Sequence, residues 1–133
     1  MRFLSDFNKL PLYLAIAVTS VANAQSARLL DAIEQVESGG RNVVGDNGKA
    51  IGPMQIHRVY WQDAIEHDPS IGGVYADCQD PQYARRVVRA YMDRYAPKGA
   101  SDETLARIHN GGPRGHRRDA TIKYWNKVRK HLD

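Results

Sequence analysis

One cysteine, Cys78, serves a chain of 133 residues. A single thiol cannot close an internal disulfide, and no Cys/His pairs stand at zinc-ligand spacing, so neither a disulfide framework nor a structural metal can hold this fold. Its stability has to come from a packed core. The hydrophobic share of 42% and the charged share of 26% suit one compact domain and disfavour both disorder and a membrane bundle. Nineteen basic side chains against 15 acidic ones give +4 at pH 7, which suits a polyanionic partner. Nucleic acid, anionic lipid and bacterial cell wall all fit that charge.

The first 24 residues have the layout of an export signal. Arg2 and Lys9 flank a short n-region, Leu10 to Val21 is a mostly apolar run of 12 residues, and Ala22-Asn23-Ala24 has the small-x-small pattern of a signal-peptidase site. Cleavage is expected after Ala24. The run falls well short of the roughly 20 residues a spanning helix needs, so no stable membrane insertion is expected after processing. The mature chain, 25–133, keeps 17 basic residues against 14 acidic ones and stays at +3. A secreted or periplasmic location follows. In such an oxidising compartment a lone cysteine is either buried or able to pair with another chain, and the loop-like Ala-Asp-Cys-Gln setting of Cys78 leaves both open.

Hydrophobic spacing predicts the elements of the mature chain. Leu29, Leu30, Ile33 and Val36 recur at intervals of 3 and 4, predicting a helix from Ala27 to Glu37 that Gly39-Gly40 terminates. Val43-Val44, then Asp46-Asn47-Gly48, then Ala50-Ile51 predict a short β-hairpin within Arg41 to Ile51. Pro53 suits a first helical turn, with Ile56, Tyr60 and Ala64 on the inner face of the helix it opens. Asp68 to Gln79 reads as loop. Asp80-Pro81 then caps a helix whose Tyr83, Val87, Tyr91 and Tyr95 line one side, leaving Arg85, Arg86, Arg89 and Asp93 on the opposite side, as a solvated face or a polyanion site. Ser101 caps a further helix through Ile108, His109 to Gly115 forms a turn-rich loop, and a last helix covers Asp119 to Leu132. The expected class is an α-rich α+β domain of about five helices and one hairpin.

Two acids stand out chemically. At roughly 100° per residue, Glu37 falls within the arc of Leu30 and Ile33 rather than on the polar side of its helix. Burial there disfavours the charged carboxylate, as a general acid working near neutral pH requires. A glutamate at a helix end that simply reaches solvent has the same spacing. Asp46 lies nine residues later in the hairpin, where it can be brought back towards Glu37; aspartate before Asn-Gly is equally ordinary turn chemistry. One protonated and one ionised carboxyl would serve glycoside hydrolysis, with carboxyl oxygens about 5 to 6 Å apart if the reaction retains configuration.

Five segments, in order, carry a resemblance. They are Val36-Glu37-Ser38-Gly39-Gly40-Arg41-Asn42; Gly52-Pro53-Met54-Gln55-Ile56 with Tyr60-Trp61-Gln62-Asp63; Ala90-Tyr91-Met92-Asp93-Arg94-Tyr95-Ala96; Ala106 to Gly115, holding Arg107-Ile108-His109-Asn110-Gly111-Gly112-Pro113; and Thr121-Ile122-Lys123-Tyr124-Trp125. Their order and spacing resemble the invertebrate-type lysozymes, also called the destabilase family, across almost all the mature chain. The resemblance implies a lysozyme-like fold over 25–133, bacterial peptidoglycan as partner and cleavage of the β-1,4 bond between N-acetylmuramic acid and N-acetylglucosamine. It places the catalytic glutamate at Glu37 and the catalytic aspartate at Asp46. It implies no cofactor, no metal and no nucleic-acid partner, and leaves the oligomeric state open. Gln55, Tyr60, His109 and Asn110 are the expected substrate-binding residues; His109 and Asn110 serve alternatively to hold the glycine turn after them.

The chain departs from the family where Gly40, Ile51, Ala64 and His116 stand at positions the family usually gives to cysteine, which points to a cysteine-poor bacterial relative. The segment between Glu37 and Gln55 is also two or three residues shorter than in many members. A lytic transglycosylase shares the Glu-Ser-Gly opening and needs no Asp46, because the sugar itself closes on the anomeric carbon. Some family members split isopeptide bonds, yet no Ser/His/Asp arrangement is legible here. A cell-wall-binding module without catalysis is the remaining alternative.

Overall fold

A computed structural model describes residues 27–132. The expected leader and its cleavage point after Ala24 lie outside the described residues. Helix α1 occupies residues 27–38 and buries Leu29, Leu30 and Ile33 completely. It stops where the spacing predicts, because Gly39 and Gly40 take left-handed φ values of 64° and 78° and Gly39 N–H closes the last turn on Gln35 O at 3.0 Å.

The hairpin forms and gains a third strand. Strands β1 (Val44–Gly45), β2 (Ala50–Ile51) and β3 (Ile56–His57) make an antiparallel sheet in the order β1-β2-β3, with Val44 opposite Ile51 and Ile51 opposite Ile56. Pro53 therefore does not open a helix. It lies buried in the turn between β2 and β3, and helix α2 (Arg58–His67) begins only after that third strand. Ile56 has the spacing for either element, and the left-handed Gln55 beside it, at φ 51°, interrupts helical geometry. Gly52 turns the chain at φ 77°, and a Cβ there would stand 2.0 Å from the backbone oxygen of Cys78. Only glycine fits so close an approach.

Helix α3 (Pro81–Tyr95) starts as predicted, with the Asp80 carboxylate accepting from Tyr83 N–H at 2.9 Å. Helix α4 (Asp102–Gly111) is capped by Ser101, whose hydroxyl oxygen accepts from Thr104 N–H at 3.2 Å. It runs three residues past the expected end. His109 and Asn110 are thus helical rather than part of a loop, and the chain turns only at Gly112, φ 86°. Helix α5 (Ile122–Val128) is flanked by single 3₁₀ turns at Asp119–Thr121 and Arg129–His131, which together fill the span expected of one helix. The fold is α-rich α+β, as predicted. Val87 and Val88 of α3, Ile108 of α4 and Val128 of α5 meet α1 in one core.

Two side chains from the expected surface and loop are internal. Arg85 has left the solvated arginine face and bonds Asp31 at 2.7 Å and the buried Glu34, tying α3 to α1. Cys78 is fully buried. Burial, with Asp77 nearby, pushes its thiol from 9.0 up to about 12. No helix among the described residues is long and apolar enough to cross a membrane.

Candidate active site

Glu37, one residue before the end of α1, is only 19% exposed in its side chain. Two helices close on one oxygen of its carboxyl. Tyr124 of α5 donates its phenol hydrogen to Oε1 at 2.8 Å, and His109 Nε2 of α4 stands 3.3 Å from the same atom. No hydrogen bond from the described residues reaches Oε2. The imidazole is itself buried, and its Nδ1 lies 2.8 Å from the Tyr60 hydroxyl on α2. Tyr60 in turn stacks on Tyr91 of α3, with ring centroids 3.6 Å apart and planes within 13°.

Electrostatics keep both phenols protonated. Burial raises the Tyr60 phenol well above its ordinary 10, with Tyr91, Glu37 and Cys78 adding to the effect. Burial also raises Tyr124 well above 10, with Glu37 reinforcing it. An anion so close to a carboxylate in a dry pocket is disfavoured. Tyr124 therefore stays protonated as a donor to Glu37 around neutral pH.

The neighbouring Ser38 anchors the acid's backbone, its hydroxyl donating to Pro53 O at 2.8 Å. This bond joins the end of α1 to the β2–β3 turn. Gln55 acts in the same turn, its amide nitrogen donating to Val43 O and Gly52 O, both at 2.9 Å. Its amide oxygen fills the space over Gly45, where a Cβ would stand 2.2 Å from it. Gln55 thus braces the sheet with its amide N–H groups instead of offering them to a ligand.

Asp46 opens the β1–β2 turn with φ 50°. Its side chain is 58% exposed and pairs with His57 Nε2 of β3 at 3.1 Å. The structure therefore brings Glu37, His109 and Tyr60 into one chain of contacts, whereas Asp46 is bonded to His57 on the sheet and Asn110 is exposed on α4. Tyr124 is the site residue that sequence reasoning passed over. It lies in a quoted motif, and its spacing of four from Val128 marks it as inward-facing, but helical spacing carries no sign of a partner on α1.

Ser38, Ser70 and Ser101 bond to carbonyls, Asp68 and Thr104 respectively, so none of these hydroxyls is aimed at a histidine. Among the described residues no group of three or more histidine, cysteine, aspartate or glutamate side chains is placed to hold a metal ion. A surface hollow of about 1030 Å³ along α3 and the chain after it contains none of the Glu37 contacts. An extended polymer needs an open groove rather than an enclosed pocket, so the chemistry around Glu37 locates the site better than concavity does.

Comparison with known proteins gives consistent matches. The Destabilase family model matches residues 26–131. A lysozyme of Ostrea edulis is 35% identical over 122 residues, and one of Magallana gigas is 38% identical over 121; both alignments cover 86% of this chain and 86% of the relative. Among solved structures, that of Aeromonas hydrophila PliI in complex with Meretrix lusoria lysozyme matches with a TM-score of 0.67 and 39% identity, and that of Tapes japonica lysozyme with 0.66 and 32%. Each match covers 77% of this chain and 87% of the matched one.

Proposed function

This chain belongs to the destabilase family, the invertebrate-type lysozymes, and is a lysozyme-type glycoside hydrolase; we propose that Glu37 is its general acid and Asp46 its second carboxylate. The observation that carries this reading is the half-buried Glu37 carboxyl, whose Oε1 is occupied by Tyr124 and His109 and whose Oε2 is left for the substrate.

Glu37 gives its proton to the glycosidic oxygen between N-acetylmuramic acid and N-acetylglucosamine, and the C1–O bond breaks. Asp46 then stabilises or covalently traps the oxocarbenium-like sugar. A water molecule, losing its proton to the Glu37 carboxylate, releases the sugar with retained configuration. For this, Asp46 has to exchange some of its contact with His57 for the sugar. The substrate is bacterial peptidoglycan, whose peptide carboxylates attract a basic chain, an advantage that falls as salt rises. The protein is exported after cleavage behind Ala24, and N-terminal sequencing that finds Met1 on exported material contradicts this.

Single-acid transglycosylation is the second reading, and the exposed Asp46 with its His57 partner is the observation that favours it. Mass spectrometry of the products from purified peptidoglycan separates the possibilities. Reducing ends support hydrolysis and anhydro ends support transglycosylation. Freed peptides mean isopeptide cleavage, and binding without product means a wall-binding module.

A further inference from the structure

The contacts between Tyr60, His109 and Glu37 have a direction that chemistry fixes. Tyr60 is partly buried, and the acceptor beside its hydroxyl is His109 Nδ1 at 2.8 Å, while its ring face is covered by Tyr91. A hydroxyl packed against an imidazole lone pair gains by donating and loses a partner by turning away, so the phenol hydrogen goes to Nδ1. Neutral imidazole carries one N–H and one lone pair. With the Nδ1 lone pair engaged, the ring hydrogen sits on Nε2, 3.3 Å from Glu37 Oε1. Oε1 then accepts from Tyr124 with the His109 N–H in contact beside it, and the acid's own proton is left to Oε2.

We propose that Tyr60 is a positioning residue for the general acid, holding His109 as the neutral Nε2–H tautomer so that the imidazole cannot take the proton of Glu37. The proposal rests on the assignment of Glu37 given above. The transfer it prevents moves one proton from Glu37 Oε2 to His109 and leaves a carboxylate beside an imidazolium, with no proton gained or lost by the pair. Nε2 is already occupied, so the incoming proton needs Nδ1. Taking it there forces the Tyr60 O–H to turn away and lose its acceptor at the edge of the core. The titratable groups around the pair are the Tyr60 and Tyr91 phenols from α2 and α3, Tyr124 from α5 and, near Tyr60, the Cys78 thiol. The same imidazole contacts also account for the burial of a histidine that a substrate-binding role would leave open to the groove.

Nitrogen-15 NMR of the histidine-labelled full chain, with the His109 signals assigned through a His109→Gln variant, reads the tautomer without any activity. The expected wild-type spectrum at pH 7 shows ring hydrogen on Nε2 and none on Nδ1. A ring with hydrogen on Nδ1, or a doubly protonated ring at pH 7, overturns the proposal. Tyr60→Phe keeps the aromatic stack on Tyr91 and removes only the oxygen. In that variant kcat on peptidoglycan falls by at least about tenfold with KM little changed. The alkaline limb of its pH profile moves to lower pH, because an imidazolium favours the ionised carboxylate. A variant with wild-type kcat and an unmoved profile overturns the proposal even where the tautomer is as expected. Retained lysis in Glu37→Gln sinks the acid assignment itself, whereas a wrong tautomer in an enzyme that depends on Glu37 sinks the role of Tyr60 alone.

Discussion

Tyr124 donates its phenol hydrogen to Glu37 Oε1 at 2.8 Å, across a separation of 87 residues. The bond ties the last helix to the first and fixes which way the carboxyl faces. Tyr124→Phe keeps the ring and removes the donor, leaving Glu37 with one fewer partner. Stability is expected to fall by about 1 kcal/mol, and kcat to fall by about tenfold because the acid is free to rotate. Urea denaturation and initial lysis rates check the two effects; an unchanged kcat shows that the bond is structural only.

The Arg85 ion pairs with Asp31 and Glu34 join α1 to α3 in a chain with no internal disulfide among its described residues. Arg85→Ala leaves the Glu34 carboxylate, 11% exposed, without its counter-charge. Losing one partner of a buried pair typically costs about 3 to 5 kcal/mol. Arg85→Met, which refills the volume but not the charge, should lose nearly as much, because the uncompensated carboxylate remains. A loss below about 1 kcal/mol in both variants shows that Glu34 reaches solvent after all.

The sequence carried the fold further than it carried the site. Apolar spacing located α1 and α3, and the polar caps Asp80 and Ser101 placed the starts of α3 and α4, because caps and periodicity are local physics. The third strand escaped because Ile56-His57 is too short to show alternation and its pairing with β2 is a tertiary fact. Glycines misled at the end of α4: Gly111-Gly112 suggested a loop from His109, but only Gly112 takes the left-handed conformation that ends the helix. Within the site, the inward arc of Glu37 was legible on its own helix. The partners that hold it come from α4 and α5, and no spacing rule joins helices. Arg85 was misread for the same reason, since a charged face looks solvated until the carboxylates opposite it are known.

Cys78 gives a pH-dependent contribution to stability. Its thiol, near 9.0 when unfolded, is raised to about 12 by burial in the fold. The contribution is whole below pH 9 and is lost as pH rises towards 12, since the unfolded chain then ionises while the folded one does not. Tyr91, also raised to about 12 by burial, acts in the same direction. Between pH 7 and pH 10 the wild type should lose about 1 kcal/mol more than Cys78→Ala, which retains Tyr91 but not the thiol. Parallel stability curves for the two proteins contradict a buried thiol.

Asp46→Asn separates the two glycosidase readings. If Asp46 traps or stabilises the sugar cation, the variant loses at least about a hundredfold in hydrolysis while its melting curve stays close to wild type. A substrate-analogue complex of the wild type should bring its carboxyl oxygens to about 5 to 6 Å from those of Glu37. Anhydro-sugar ends released by the variant at the wild-type rate leave Glu37 working alone.

The central claim is that the Glu37 carboxyl supplies the proton that breaks the glycosidic bond, and the initial rate of cell-wall lysis by Glu37→Gln, measured beside its melting curve, tests it most directly. Glutamine keeps the side chain's shape and an oxygen able to accept from Tyr124 or His109, but it has no acid proton to give. The rate should fall by at least about a hundredfold with the melting curve little changed, whereas near-normal lysis by a folded Glu37→Gln protein contradicts the account.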